Sequence, residues 1–524
     1  MTITPSTRRT SYDAVPYESF PFPQTHPDRL ATLGRLFGLS SPSADRCRVL
    51  ELGCAAGGNL IPMALTMPQA EFVGVDLSAV QVEQGQRIIA DLGLNNIRLI
   101  AMSITDIDAS FGEFDYILSH GVYSWVPDAV QEALLGVCAR QLSTDGIAYI
   151  SYNTLPGWRM RGMIRDLMRY HAMQFDDPAQ RVAQGRAILD FLARSVPTES
   201  NAYGMLLQSE LDGLRHAPDY YILHEHLEDI NEPIYFSEFI ERAARHGLAY
   251  LAEADFSTML PSNFAPEVAD TVLRIAPDVI RQEQFMDFLR NRTFRQTLLV
   301  REDRRIDRML TPERVMGLWI SACLRPVTPA PNLAMEAEED FEAPNGGQLR
   351  TRNAVTRVAV RVLAGRWPAA VAFTDLLRDA MAQLPEQCRQ ATPEGLSVAE
   401  ALASDLLQCQ AAGLLELHSG PSPFVTRAGR KPLVSPLARL QIRQQLPQVT
   451  TLRHEMIGVD ANLGRMLQLL DGTRDVEEIC AVVTTWALAD PATRSRSRKE
   501  LAGPVRQRVD QALASIARSA LLIA

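Results

Sequence analysis

Glu51, Gly53, Cys54, Ala55 and Gly57 lie in the run Val49-Leu50-Glu51-Leu52-Gly53-Cys54-Ala55-Ala56-Gly57-Gly58, and Asp76 closes the next apolar run, Phe72-Val73-Gly74-Val75. Small residues leave backbone N–H groups uncovered, and a helix starting after Asn59 puts its positive end behind them. That combination takes the carboxylate or phosphate of a ligand. An acid about one βαβ unit downstream accepts from both hydroxyls of a ribose. A second chemistry is carried by His120-Gly121-Val122-Tyr123-Ser124-Trp125-Val126-Pro127 and Tyr152-Asn153-Thr154-Leu155-Pro156-Gly157-Trp158. Tyr123, Trp125, Tyr152 and Trp158 are candidate walls of an aromatic slot, with His120 and Asn153 at its floor. Aromatic faces attract cations, and the dry space between them lowers the pKa of an amine. His120 has a reference pKa near neutrality and is a candidate proton relay to water. For each ring the competing reading is packing in the core.

The elements that must position these residues follow from the apolar pattern. Strands are expected at 49–52, 72–75, 97–100, 114–119 and 147–152, with helices between them, such as 78–92. Alternation of this kind predicts an α/β, doubly wound sheet whose ligands sit at the carboxyl ends of the strands. The loops to inspect are therefore 101–108, 120–127 and 153–158. Residues 12–27, with Tyr17, Phe20 and Phe22 among prolines, suit either a lid over the ligand or a strap packed on the domain.

The chain then leaves the rhythm. Helical spacing at 160–174 and 179–195 marks a helical insertion over about 159–231. A helix at 238–246 and a strand at 248–256 are expected to complete a ligand-binding catalytic domain, residues 1–260. Residues 261–326 read as a helical middle or regulatory region whose arginines form a solvated or ion-paired face. Residues 327–349 combine Pro329, Pro331, the acids Glu336, Glu338, Glu339 and Asp340, and Gly346-Gly347, the composition of a linker. Beyond it, 350–524 reads as a winged-helix-like module, with helices at 373–381 and 397–412 and a strand at 414–417. Its second helix carries Glu400 and Asp405 and no Arg or Lys, which weighs against major-groove reading.

Two ligand classes share the glycine-loop layout. A dinucleotide fingerprint requires G-x-G-x-x-G, whereas this register is Gly53-x-Ala55-x-Gly57 with Glu51 two residues before the first Gly. The latter is similar to the loop of class I S-adenosylmethionine-dependent methyltransferases, with Ala55 for the usual Gly. With the two aromatic loops, residues 11–27 and Asn291-Arg292-Thr293-Phe294-Arg295-Gln296, the chain resembles bacterial methyltransferases that carry a methyltransferase regulatory domain. Rickettsial-type protein lysine methyltransferases are among them. The resemblance implies a Rossmann-like class I fold, S-adenosylmethionine as donor, S-adenosylhomocysteine as product and protein lysine as acceptor. It implies donor contacts from Glu51, Gly53, Cys54, Ala55, Gly57, Asp76, Leu77, Ser103, Ile104 and His120. At 103, many class I enzymes place an acid for the adenine amino group; here Ser103, Asp106 and Asp108 are the alternatives, and Ile104 fits the ring face. Catalytic contacts fall to Tyr17, His120, Tyr123, Trp125, Tyr152, Asn153 and Trp158.

Composition sets outer bounds. A net charge of -10 argues against wholesale nucleic-acid binding. Seven cysteines without a C-x-x-C pair argue against a zinc framework and for a reduced, cytoplasmic setting. His224-Glu225-His226 has two of the ligands a metal needs and no third, so no metal is expected. No membrane insertion is expected, and the C-terminal domains are assigned to substrate capture or homodimer formation. On that view, removing 350–524 leaves donor binding intact. A small molecule or modified peptide held by those domains is the alternative acceptor, and a nucleotide-sensing adaptor is a third reading.

Overall fold

The computed structural model describes residue 15 and residues 18–329, 337–388, 396–490 and 495–524. Its centre is a seven-stranded sheet: β1 (Arg48–Leu52), β2 (Glu71–Asp76), β3 (Ile97–Ala101), β4 (Phe114–Ser119), β5 (Leu142–Asn153), β6 (Leu248–Glu253) and β7 (Phe294–Arg301), in the order β3-β2-β1-β4-β5-β7-β6. The first five pair in parallel, and β7 runs antiparallel to both β5 and β6. Val49, Leu50, Leu52, Val73 and Val75 are buried whichever way they point. Such two-sided burial is why these strands read as unbroken apolar runs. The class I methyltransferase fold expected from the sequence is this one. Strand order reverses between β1 and β4, so the crevice that can take a ligand opens beyond the carboxyl ends of those two strands.

One face of the sheet buries Leu50, Val73, Ile117 and Ile150 against Leu134 and Phe239 of helices Asp128–Gln141 and Phe236–Arg245. The other face joins a core that continues through Leu30 and Leu33 of helix Pro27–Leu36 into Val358, Leu376, Leu402 and Leu417. The C-terminal half is thus packed on the sheet through the N-terminal helix. The helical insertion comprises Trp158–Ala172, Pro178–Ser195 and Ala202–Leu214, around its own core of Ile164, Met168, Leu189 and Leu207. Asp177 and Asn201 cap two of these helices by accepting from Gln180 N–H and from Tyr203 and Gly204 N–H.

Three segments differ from the sequence expectation. Residues 261–326 contain helices Pro266–Ile275 and Val279–Arg290, but also β7, which enters the sheet between β5 and β6. Arg295 in that strand is fully buried against Glu253, Glu283 and Asp287, so its charge marks an internal ion pair and not a helix surface. Residues 327–349, with the composition of a linker, include the hairpin Glu339–Glu342 with Gln348–Thr351. Finally, strand Glu416–His418 pairs with Trp319–Ser321 and not with a partner inside 350–524. A separate hairpin, Gln448–Thr450 with Met456–Gly458, lies among the last helices.

Candidate active site

Beyond β1 the backbone turns sharply: Gly53, Ala55 and Gly57 have φ of +79°, +48° and +75°. This is the left-handed region, free to glycine and strained for alanine. A Cβ on Gly53 would lie 2.4 Å from Val122 Cγ2, so the loop after β4 passes directly over the glycine loop. The Ala55 N–H donates to Asp76 Oδ2 at 2.8 Å, and Ser78 N–H to Oδ1 at 2.8 Å. Asp76 is thereby held at the tip of β2, in the place a ribose-binding acid requires, since a carboxylate has four acceptor positions. Leu77 beside it is 65% exposed, an apolar side chain open to solvent at the strand end. Ile104 is buried, whereas Ser103 accepts from Thr105 N–H at 3.3 Å and lies 2.7 Å from the Thr105 hydroxyl. Asp106 and Asp108 are exposed, and Asp108 Oδ1 accepts from Ser110 N–H at 2.9 Å.

Glu51 gives the sharpest electrostatic signal. It is 3% exposed; its Oε1 accepts from Asn59 Nδ2 at 2.7 Å, and its Oε2 is buried with no hydrogen-bond partner among the described residues. Burial pushes the carboxyl up to about 8, Asn59 pulls against that and Asp76 adds to it. An orphaned carboxylate oxygen at the base of a glycine loop fits an ammonium group. A donor carrying an amino acid end, a ribose and an adenine therefore matches Glu51, the loop amides, Asp76 and Leu77.

The segment before the first helix closes over the loop. Gly58 N–H donates to Ser19 Oγ at 2.7 Å, and Phe22 N–H to Asn59 Oδ1 at 2.9 Å. Tyr17 lies outside the described residues. Phe22 stacks on His120 with ring centroids 3.8 Å apart; Phe294 approaches the same imidazole edge-on at 5.8 Å, and Tyr149 OH is 2.8 Å from its Nδ1. Burial among these rings lowers the His120 pKa to about 4. The imidazole is therefore neutral and is not poised near neutrality, which corrects the expected proton relay.

The four slot candidates separate into two pairs. Tyr123 and Tyr152 are buried at 0% and 1% exposure and pack around Phe239, Tyr152 stacked on it at 4.1 Å. Tyr152 OH lies 3.0 Å from Thr297 Oγ1. These two rings are core beneath the loops and form no slot wall, because β5 alternates and turns Tyr152 to the helix-covered face. Trp125 and Trp158 remain together, edge to face at 6.3 Å, with Trp125 partly exposed. Asn153, at the end of β5, is 4% exposed; its N–H donates to Ser124 Oγ and its Nδ2 to Asn231 Oδ1 at 3.0 Å. His224 is occupied by the Val15 carbonyl and Glu228, and among the described residues no three His, Cys, Asp or Glu side chains gather to hold a metal.

Sequence reasoning missed Asn59, Tyr149, Ser151 and Phe294. Tyr149 and Ser151 alternate as polar-tipped residues within an apolar strand, and Ser151 Oγ accepts from Gly121 N–H at 2.8 Å. That alternation is a readable signal. Asn59 left none, because its partners come from three distant parts of the chain.

Three family models match: a methyltransferase domain at residues 43–205, a predicted methyltransferase regulatory domain at 218–301 and a PKMT C-terminal winged helix domain at 430–521. The last match falls inside 350–524, the span expected to be winged-helix-like, and follows the helices expected at 373–381 and 397–412. The chain is 48% identical over 304 residues to the uncharacterized protein RP789 of Rickettsia prowazekii, covering 58% of this chain and 55% of that protein. It is 43% identical over 239 residues to RP028 of the same organism, covering 46% of this chain and 96% of that one. PKMT2 from Rickettsia typhi, solved in complex with AdoHcy, superposes with a TM-score of 0.84 at 30% identity, over 97% of this chain and 100% of that one. Among the described residues no helix is long and apolar enough to cross a membrane. With this fold, this donor site and a relative solved with the demethylated donor, the chain belongs to the family of S-adenosylmethionine-dependent methyltransferases that includes the rickettsial PKMT proteins.

Proposed function

We propose that the chain transfers the methyl group to lysine side chains of a protein substrate. The observation that carries this is the Trp125–Trp158 pair, edge to face at 6.3 Å, formed by the segments that follow the carboxyl ends of β4 and β5. S-adenosylmethionine supplies an electrophilic methyl on a sulfonium. The residues of the chain have only to bring an uncharged amine into line with it. An ammonium is drawn to the indole faces and loses its proton to water as the slot dries, because desolvation disfavours the charged form. Asn153 is fixed through Ser124 and Asn231 to orient the nitrogen, and neutral His120 forms the floor with Phe22. No acid or base of matched pKa is required for this step. The name PKMT carried by the Rickettsia typhi relative supports the same acceptor class. Exposed Tyr170, Phe191 and Met205 on the helical insertion support a homodimer, and seven cysteines without a C-x-x-C pair support a reducing, cytoplasmic setting.

The test is to incubate the protein with methyl-labelled S-adenosylmethionine and a lysate of its own source, then separate macromolecules from small molecules. Label recovered from protein as methyl-lysine after hydrolysis is the expected result. Label confined to small molecules, or on another residue type, overturns the reading.

A further inference from the structure

Asn59 is where three separate parts of the chain meet. Its Oδ1 accepts from Phe22 N–H at 2.9 Å and lies 2.7 Å from His454 Nε2, while its Nδ2 donates to Glu51 Oε1 at 2.7 Å and to Thr25 Oγ1 at 3.0 Å. The Phe22 backbone can only donate, so the amide orientation is fixed with its oxygen toward Phe22 and its nitrogen toward Glu51. His454 must then present a proton on Nε2. It is 4% exposed, and burial holds its pKa well below 6.5, so the ring is the neutral Nε2–H tautomer. No water replaces that donor at so closed a position.

His454 arrives from the winged helix domain, 395 residues along the chain from Asn59. Its φ of +64° is costly for a residue with a side chain, so the surrounding structure must impose it. Clamps lie on both sides. Arg453 donates to Glu416 Oε2 at 2.8 Å and stacks over Trp367 at 4.4 Å, Leu452 N–H donates to the Ala520 carbonyl at 2.8 Å, and Thr451 N–H donates to the Glu455 carbonyl at 2.8 Å. A strained turn held this firmly, ending on one buried hydrogen bond in the donor site, is a device for position.

We infer that His454 is a positioning residue of the donor site: it orients Asn59, which holds Glu51 toward the donor's ammonium and ties down the segment covering the glycine loop. The C-terminal domain therefore completes donor binding as well as standing ready for substrate capture. This replaces the simpler expectation that the two halves divide those tasks. The inference rests on the placement of the donor's amino acid end at Glu51, and S-adenosylhomocysteine binding to Glu51→Gln tests that placement separately.

The experiment is calorimetric titration of the full-length chain with S-adenosylhomocysteine. His454→Asn keeps a residue that tolerates positive φ while withdrawing the reach of the ring, and His454→Gln restores an N–H near the same place. We expect His454→Asn to raise Kd about tenfold, the size of one buried hydrogen bond to a charged network, and His454→Gln to recover most of it. The KM for the donor should rise in parallel with kcat little changed. In an Asn59→Ala background His454→Asn should add nothing, because its effect passes through Asn59. An unchanged Kd in a folded His454→Asn protein, or full additivity with Asn59→Ala, overturns the inference. Loss of affinity in Glu51→Gln with none in His454→Asn separates failure of the coupling from failure of the donor placement.

Discussion

Single residues at the donor and acceptor sites make four expectations. Glu51, with its pKa at about 8, must be ionised to take an ammonium, so affinity for S-adenosylhomocysteine should rise with pH toward about 8 and flatten in Glu51→Gln. The same shift has the opposite sense for stability. A raised folded pKa means the native protein holds a proton that the unfolded chain releases near 4.5, so the Glu51 contribution falls as pH rises from 4.5 to about 8. Thermal melts of wild type and Glu51→Gln across that range check it; parallel curves sink the assignment. Ala55, at φ +48°, stands where glycine is unstrained. Ala55→Gly should be neutral or stabilising by up to ~1 kcal/mol, as relief of strain offsets the greater freedom of the unfolded chain. A loss of more than that in a urea titration contradicts a strained Ala55. Trp125→Ala should lower kcat about tenfold or more while donor Kd moves less than about twofold, since on the proposed reading the ring lines the acceptor slot; equal losses in both would place it elsewhere. The glycine loop and Asp76 were legible because their chemistry depends on local spacing. The tyrosines misled because alternation in β5 and a covering helix decide which ring is inside, and neither is visible in a loop motif.

At the scale of elements, β7 was hidden by its own charge. Its pattern Phe294-Arg295-Gln296-Thr297-Leu298-Leu299-Val300-Arg301 looks half solvated, yet Arg295 sits at 0% side-chain exposure among three carboxylates at 2.8–3.0 Å. Burial raises Glu283 to about 7 against the pull of Arg295, and Arg292 adds a second cation 3.6 Å from Asp287 and 3.8 Å from Glu253. The cluster ties β7 to the end of β6 and to helix Val279–Arg290. From there the chain meets the loop after β5, where Gly157 N–H donates to the Arg292 carbonyl at 2.9 Å and a Cβ on Gly157 would clash with it at 2.4 Å. Arg295→Met should cost about 3–5 kcal/mol, because it leaves three buried acids with only the more distant Arg292 as cation. A denaturation midpoint within error of wild type would show the cluster to be neutral. The helical insertion, by contrast, was legible throughout, since apolar spacing and the caps Asp177 and Asn201 are local signals.

Across the whole molecule, the two halves are joined by a charged seam as well as a shared core. Asp28 accepts from Ser419 N–H at 2.6 Å and meets His418 Nδ1 at 2.8 Å, while Glu416 pairs with Arg29 and Arg453. Burial pushes Glu416 upward, but Arg29 and Arg453 outweigh it and bring the carboxyl down to about 2. A depressed folded pKa gives stability that is present above 4.5 and lost as pH falls toward 2. Acid unfolding of wild type should therefore steepen in that window and Glu416→Gln should lack this component; identical acid transitions would remove Glu416 from the seam. Sequence could not show such pairing, because it joins residues 28 and 29 to residues 416–419. The sheet itself carries a final consequence for how the protein is made. β5 and β6 do not touch; each is hydrogen-bonded to β7, which follows both in the chain. On the ribosome the nascent half that already holds Gly53, Asp76 and both tryptophans must wait for residue 301, a matter of seconds at ~5–20 residues per second. During that interval the open edges of β5 and β6 are exposed to other chains, which gives a chaperone its natural moment of contact.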